Sequence, residues 1–205
     1  MISPSDEYRQ ITEKKYLYNI MPVSNIPSVI HRGILSYDQV RLIQHQSVAM
    51  NEVQVRRDRV IIPKVERRLH SYANLYFTHH NPMMYKRKDQ ADELCILAID
   101  SKIMNVPGCI LTDQNAASSV ARFYSPEEGL REINFDKVFA KYWTSSDYYE
   151  EKNNKRIKCA EVLIPDKIPF GFVCGAYVVS IHVKSALEDM GFSKPIIVNK
   201  KKFYR

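Results

Sequence analysis

Apolar residues in this chain fall in short runs, broken by charged and turn-forming residues, and the runs predict many short elements. Tyr16-Leu17-Tyr18-Asn19-Ile20 predicts a first strand, Tyr72 to Thr78 an aromatic-rich strand, and Leu94 to Ile99 a continuous apolar central strand. Gly108 to Leu111 and Val162 to Ile164 predict two more strands. Gly171 to Ile181 predicts a long strand with Gly175 as a bulge, and Pro195 to Val198 a last one. Helical signals lie between them. Ser24 or Asn25 caps a short helix through His31, with Ile26, Val29 and Ile30 turned inward and Gly33 closing it. Further helices are expected over Ser36 to Gln44, from an Asn115 cap through Phe123, and from Asn134 or Asp136 through Tyr142. Val183, Ala186, Leu187 and Met190 give a last amphipathic helix closed by Gly191. The polar segment Thr144 to Lys158 reads as a mobile loop. With no repeat or linker, residues 1–205 read as one α+β domain.

Composition narrows the class. No stretch approaches the ~18 consecutive apolar residues of a membrane span. The first residues, MISPSDEYRQITEKK, lack the apolar core of a signal peptide. Cys95, Cys109, Cys159 and Cys174 lie in apolar stretches without CxxC spacing, and the six histidines show no HExxH spacing. A cytoplasmic monomer without metal or disulfides is therefore expected. A net charge of +7 and a pI of about 9.1 favour a polyanionic partner. Five arginines within Arg56 to Arg68, against Asp58 and Glu66, are either a solvated face or phosphate contacts.

Glu161 is the candidate for chemistry. Carboxylates are depleted in strands, and a buried one costs stability unless it is bound. Within Lys158 to Pro165 it is either an edge-strand side chain in water or a functional acid. His79-His80-Asn81-Pro82-Met83-Met84-Tyr85, after the aromatic strand, could stack a flat ring or could be core.

The order of these motifs resembles the DarT family of toxin ADP-ribosyltransferases that modify DNA. The pieces are Tyr18-Asn19-Ile20 with Asn25-Ile26-Pro27-Ser28-Val29-Ile30 and Gly33-Ile34-Leu35, then Arg56-Arg57 and Tyr72 through Phe77. Asn81 through Tyr85, Thr112-Asp113-Gln114-Asn115-Ala116, Trp143 and Ala160 through Ile164 complete the set. The resemblance implies an ADP-ribosyltransferase fold, a split β-sheet core with short helices around an NAD+ cleft. It implies transfer of ADP-ribose from NAD+ to thymine or guanine in single-stranded DNA, or to RNA in a related group, and a macrodomain antitoxin as partner. The competing reading is a nucleic-acid-binding module without activity. By the same resemblance, Glu161 stabilises the ribosyl cation and accepts a proton. Arg57, with Arg56 as the alternative, lies by the pyrophosphate or the acceptor base. Asn19 and Asn25 face the nicotinamide side, and Tyr76, Met84 and Tyr85 pack around the rings. Asp113 and Asn115 close over the NAD+, while Tyr148, Tyr149, Lys155 and Arg156 meet the nucleic acid. One departure stands out: Asn19 occupies a place where the family usually carries His.

Overall fold

The computed structural model describes residues 2–63 and 65–204. The strands are β1 (Tyr16–Pro22), β2 (Ile34–Leu35), β3 (Ile61–Ile62), β4 (Arg67–Arg68), β5 (Tyr72–Tyr76) and β6 (Leu94–Asp100). They continue as β7 (Ile110–Thr112), β8 (Phe123–Tyr124), β9 (Glu161–Pro165), β10 (Lys167–Ile168), β11 (Val173–Val178) and β12 (Ile196–Val198). The helices are α1 (Pro4–Thr12), α2 (Ile26–Arg32), α3 (Tyr37–Val40), α4 (Asn51–Asp58) and α5 (Pro82–Lys86). Then follow α6 (Pro126–Glu132), α7 (Phe135–Phe139), α8 (Tyr148–Ile157) and α9 (Ile181–Asp189).

Eight strands form one sheet in the order β12-β11-β6-β1-β5-β9-β7-β8. Only β11 and β12 run parallel; the other neighbours in this sheet are antiparallel. The sheet is all but divided in the middle. β1 pairs with β6 over its whole length, yet meets β5 at the single pair Tyr18↔Tyr76. This is the split core of an α+β fold, and the seam is where a cleft opens.

Alternation along the strands decides which side chains reach that cleft. Ala73, Leu75, Val162 and Ile164 point into the main core with Leu17, Leu97 and Ile99. Their neighbours on the other face of β5 and β9 are Asn74, Tyr76, Glu161 and Leu163, aligned by the pairs Asn74↔Leu163 and Tyr76↔Glu161. A one-residue slip would exchange the two sets, so burial of Leu75 and Val162, both at 0% exposure, fixes the position of Glu161. Gly33 has φ +84°, and a Cβ there would stand 2.3 Å from the Ile168 carbonyl oxygen, so α2 stops against β10 only with glycine. The register shift between Val173 and Gly175 is the bulge the sequence suggests.

Three stretches depart from the sequence reading. The helix expected from Asn115 through Phe123 is absent: Asn115 Oδ1 accepts from the Ala117 amide, Ser118 Oγ from the Val120 amide, and Gln114 Nε2 donates to the Val120 carbonyl. These local bonds occupy backbone groups a helix would need. The segment Thr144 to Lys158 is not a plain loop, because residues 148–157 form α8. Its amphipathic signal is weak, but Asp147 caps it by accepting from the Glu150 amide at 2.7 Å. Acids occupy its first turn, Lys155 and Arg156 its last, and Glu151 pairs with Lys155. The arginine run Arg56-Arg57 lies on α4, which no apolar stripe announces. Expected lengths shrink elsewhere: α3 spans only Tyr37–Val40, α7 stops at Phe139, and β11 runs from Val173 to Val178.

Candidate active site

Glu161 begins β9, an interior strand between β5 and β7, and is 0% exposed. It is therefore not an edge residue in water. Its amide donates to Thr112 Oγ1 at 3.0 Å, and its Oε1 accepts from the Ala116 amide at 2.9 Å. Arg57, 8% exposed on the last turn of α4, donates through Nη1 to both carboxylate oxygens at 3.0 Å. A buried carboxylate thus gains a counter-charge and a backbone donor, which offset the cost of taking it out of water. The 115–118 turn that replaces the expected helix supplies that backbone donor.

Arg57 also forms part of the wall of a cavity of about 270 Å³ in front of this pair, with Asn19, Asn74, Tyr76, Asn115 and Cys159. A second cavity, about 150 Å³, adjoins it along Asn19, Asn74, Val48 and Gln54, and runs past Asn25 to Gly33 and Tyr37. Glu161 stands behind Arg57 and Tyr76 rather than on the open wall. Tyr76 is buried, and desolvation, then the Glu161 charge, raise its hydroxyl well above the ordinary tyrosine range. Burial, then the same carboxylate, push the Cys159 thiol up to about 12, so this sulfur stays protonated.

The seam of the sheet is bridged by a side chain. Asn19 Nδ2 donates to the Asn74 carbonyl at 3.1 Å, supplying one of the contacts that β1 and β5 no longer make. Its Oδ1 is buried and finds no partner among the described residues. Asn19 lines both cavities, so this acceptor sits where they meet. Asn25 is half-buried and does not cap α2 through its side chain. It holds the 41–50 loop instead, donating to the Gln46 carbonyl at 2.7 Å and accepting from the Gln46 amide at 3.0 Å.

The remaining sequence candidates divide. Asn115 lines the first cavity, and so do Lys155 and Arg156 from the end of α8, which brings them to the cleft rather than to a separate surface. Arg56 is exposed and outside both cavities; the two adjacent arginines point apart by one helical step. Arg67 and Arg68 are engaged by Asp166 and Asp58, so the arginine cluster is largely internal ion pairing. Met84 is 1% exposed and packs with Ile20, Leu94, Ile96 and Phe203, while Met83 lines the cleft. Tyr85 belongs to a neighbouring groove with Trp143 and Tyr204. Asp113 accepts from the Arg122 amide and shapes its loop from outside the cavity. Tyr148 and Tyr149 are exposed at the start of α8.

Sequence reasoning missed Gln54, Asn74 and Cys159 as cleft residues, and chose Met84 where Met83 lines the cleft. Asn74 and Cys159 had an accessible signal: each lies two positions from Tyr76 or Glu161, on the same strand face or its extension. Lys158, buried beside them, donates to the Val138 and Ala140 carbonyls at 2.9 and 2.8 Å. Burial lowers its ammonium to about 8, and the two carbonyls tie the end of α7 to the start of β9. Among the described residues, no helix is long and apolar enough to cross a membrane, and no cluster of His, Cys, Asp and Glu could hold a metal ion.

Comparison with known proteins adds a family to this geometry. The family model described as "ssDNA thymidine ADP-ribosyltransferase, DarT" matches residues 18–204. A DNA ADP-ribosyl transferase–DNA ADP-ribosyl glycohydrolase fusion protein of Thermosipho africanus is 32% identical over 178 residues, 84% of this chain. The match spans only 44% of that relative, less than half its length. A DNA ADP-ribosyl transferase of Thermus aquaticus is 28% identical over 185 residues, covering 85% of this chain and 79% of its own. Thermus sp. 2.9 DarT, solved with ADP-ribosylated ssDNA, superposes with a TM-score of 0.82 at 22% identity, covering 94% of this chain and 97% of that one. The same enzyme solved with NAD+ superposes at 0.78 and 21% identity, covering 94% and 98%. These superpositions give the fold, the α+β ADP-ribosyltransferase fold.

Proposed function

The chain belongs to the DarT family, and on that footing we propose that it transfers ADP-ribose from NAD+ to a base of single-stranded DNA. Thymidine, named in the family description, is the first acceptor to test, with guanine second. The observation that carries the reading is the buried Glu161 carboxylate held by Arg57 behind the cleft wall.

In this reading the cleft along the seam takes NAD+. The free Oδ1 of Asn19 accepts from a donor of the substrate, in the place where the family usually has His. Tyr76 and Asn115 form the wall beside the reacting ribose, and Asn25 secures the 41–50 loop over the second cavity. The bond between ribose C1′ and the nicotinamide nitrogen breaks, and the pyridine leaves with the bonding pair. The positive charge left on the sugar is stabilised by the Glu161 carboxylate. A ring nitrogen of the base attacks C1′ from the opposite side, and its proton passes to Glu161. Because Arg57 occupies both carboxylate oxygens, turnover requires it to yield at least one of them. Its guanidinium then neutralises the pyrophosphate or the acceptor base. Lys155 and Arg156 bring positive charge to the same mouth.

We place the enzyme in the cytoplasm as a monomer, a setting that suits four free cysteines. A macrodomain that removes the mark is its natural antagonist, since the Thermosipho relative joins transferase and glycohydrolase in one protein. Incubation of the purified protein with labelled NAD+ and separate DNA and RNA oligonucleotides tests the assignment. Label on single-stranded DNA, removed by a macrodomain glycohydrolase, is the expected result. Label on RNA alone transfers the assignment to the related RNA-modifying chemistry, and binding without label reduces the protein to a nucleic-acid-binding module.

A further inference from the structure

Beside the cleft lies a larger groove, about 1140 Å³, that the reaction above leaves unused. Its walls are rings. Tyr85, Trp143 and Tyr204 stand edge-to-face, with centroids 5.3 to 5.8 Å apart and planes at 78 to 85°. In a closed core such a cluster would simply be packing. Here the rings line an open groove, with Tyr85 46% and neighbouring Tyr142 69% exposed. The rim is cationic: Lys86, Lys141, Lys155, Lys200 and Lys201 face it, while the lining acid, Glu151, is held by Lys155. Pro82, Lys86 and Lys155 line both the groove and the cleft, so the two are continuous.

Ring faces with a basic rim are what a single strand needs: bases stack on the rings and phosphates lie along the cations. A duplex hides its base faces and does not fit this chemistry. We propose that the groove of Tyr85, Trp143 and Tyr204 seats a base flanking the acceptor in the same DNA strand. This rests on the transfer reaction proposed above and extends it. The groove is the chain's second recognition element, holding the strand while the acceptor base enters the cleft. Trp143 and Tyr204 are specificity and positioning residues; they touch a neighbouring nucleotide and not the reacting atoms.

Trp143 is the sole tryptophan in the chain, so its emission reports on the groove without any turnover. Titrating the parent protein with a single-stranded oligodeoxynucleotide, without NAD+, should quench that emission; the matching duplex should not. Trp143→Ala should raise the KM for the oligonucleotide on the order of tenfold, with kcat and NAD+ affinity near the parent values. Trp143→Phe should recover part of the loss. An abasic nucleotide beside the acceptor should raise the parent KM by a similar factor and add little to Trp143→Ala. An unquenched tryptophan overturns the proposal, even if Trp143→Ala fails to fold. An unchanged KM, fully additive abasic and Trp143→Ala effects, or quenching by RNA but not DNA, does the same. Quenching in a parent protein that transfers no label would leave the groove standing and remove the transfer reaction instead.

Discussion

The acidic corner behind the cleft and the aromatic groove beside it are built on opposite plans. In the corner, Glu161 sits on an interior strand paired on both sides, and Arg57 closes over it at 8% exposure. The carboxylate is held by bonds of 2.9 to 3.0 Å from Arg57 and the Ala116 amide, and its position follows from sheet register. In the groove, the rings come from α5, from the segment before α8 and from the end of the described chain, and they meet only edge-to-face. A charge buried in a fixed place suits a step that needs one geometry. Open rings on separate segments suit a ligand whose sequence varies.

The largest contrast should come from Glu161→Gln. It removes the charge but keeps the shape, and transfer to single-stranded DNA should fall about 100- to 10,000-fold. Emission quenching of Trp143 by DNA should persist, and if it vanished the two regions would not be separable. Next in size is the fate of the ion pair. Arg57→Ala leaves the carboxylate buried and unpaired, at a cost of about 3–5 kcal/mol in unfolding free energy. Denaturant melts check this. Arg57→Met combined with Glu161→Gln should recover most of the loss, because the pair itself contributes little net stability. A double variant as weak as Arg57→Ala alone would mean the corner depends on something other than charge compensation.

Acid should act on the groove side. His79 is buried beneath it, edge-on to Tyr18 at 4.9 Å and against His80 at 4.2 Å, and His80 packs on Tyr204. Burial, then the His80 and Lys202 charges, hold the His79 imidazole down to about 3. The folded state therefore resists a proton that the unfolded chain accepts near the ordinary value of 6.5. The stabilisation is complete above that value and drains away as pH falls from about 6.5 toward 3. His79→Gln should flatten the fall of Tm between these limits; an unchanged slope would assign it to other groups. Smallest is Asp147→Ala, which removes the α8 cap and should cost about 1 kcal/mol. Its effect on transfer should exceed its effect on stability, since α8 ends in Lys155 and Arg156 at the cleft mouth.

How much of this could be read beforehand depends on what each segment is made of. Short apolar runs located β1, β5, β6, β7, β9 and β11 to within a few residues, because burial dictates those side chains. It could not announce α4 or α8, whose residues are mostly charged and whose stability comes from end effects and ion pairs. Glu161 was legible as an anomaly, a carboxylate inside an apolar run, but its ion pair with Arg57 was not, since the resemblance set Arg57 by the pyrophosphate or the acceptor base. The choice of Arg57 over Arg56 was a matter of which helical face is buried, and nothing in Val55-Arg56-Arg57-Asp58 settles a helix, let alone its rotation. Met84 and Met83 differ for the same reason on α5. Asn74 escaped notice because its role depends on the near-divorce of β1 from β5, a property of the whole sheet.

That β9 lies between β5 and β7 has a bearing on how the protein comes into being. Residues 72–76 and 110–112 leave the ribosome first, and the strand that must slot between them follows about fifty residues after the second. Nascent chains thus carry both flanking strands before Glu161 is made. Under the transfer reaction proposed above, onset of activity coincides with insertion of β9 into the sheet, and a chain that stops short of Glu161 transfers nothing.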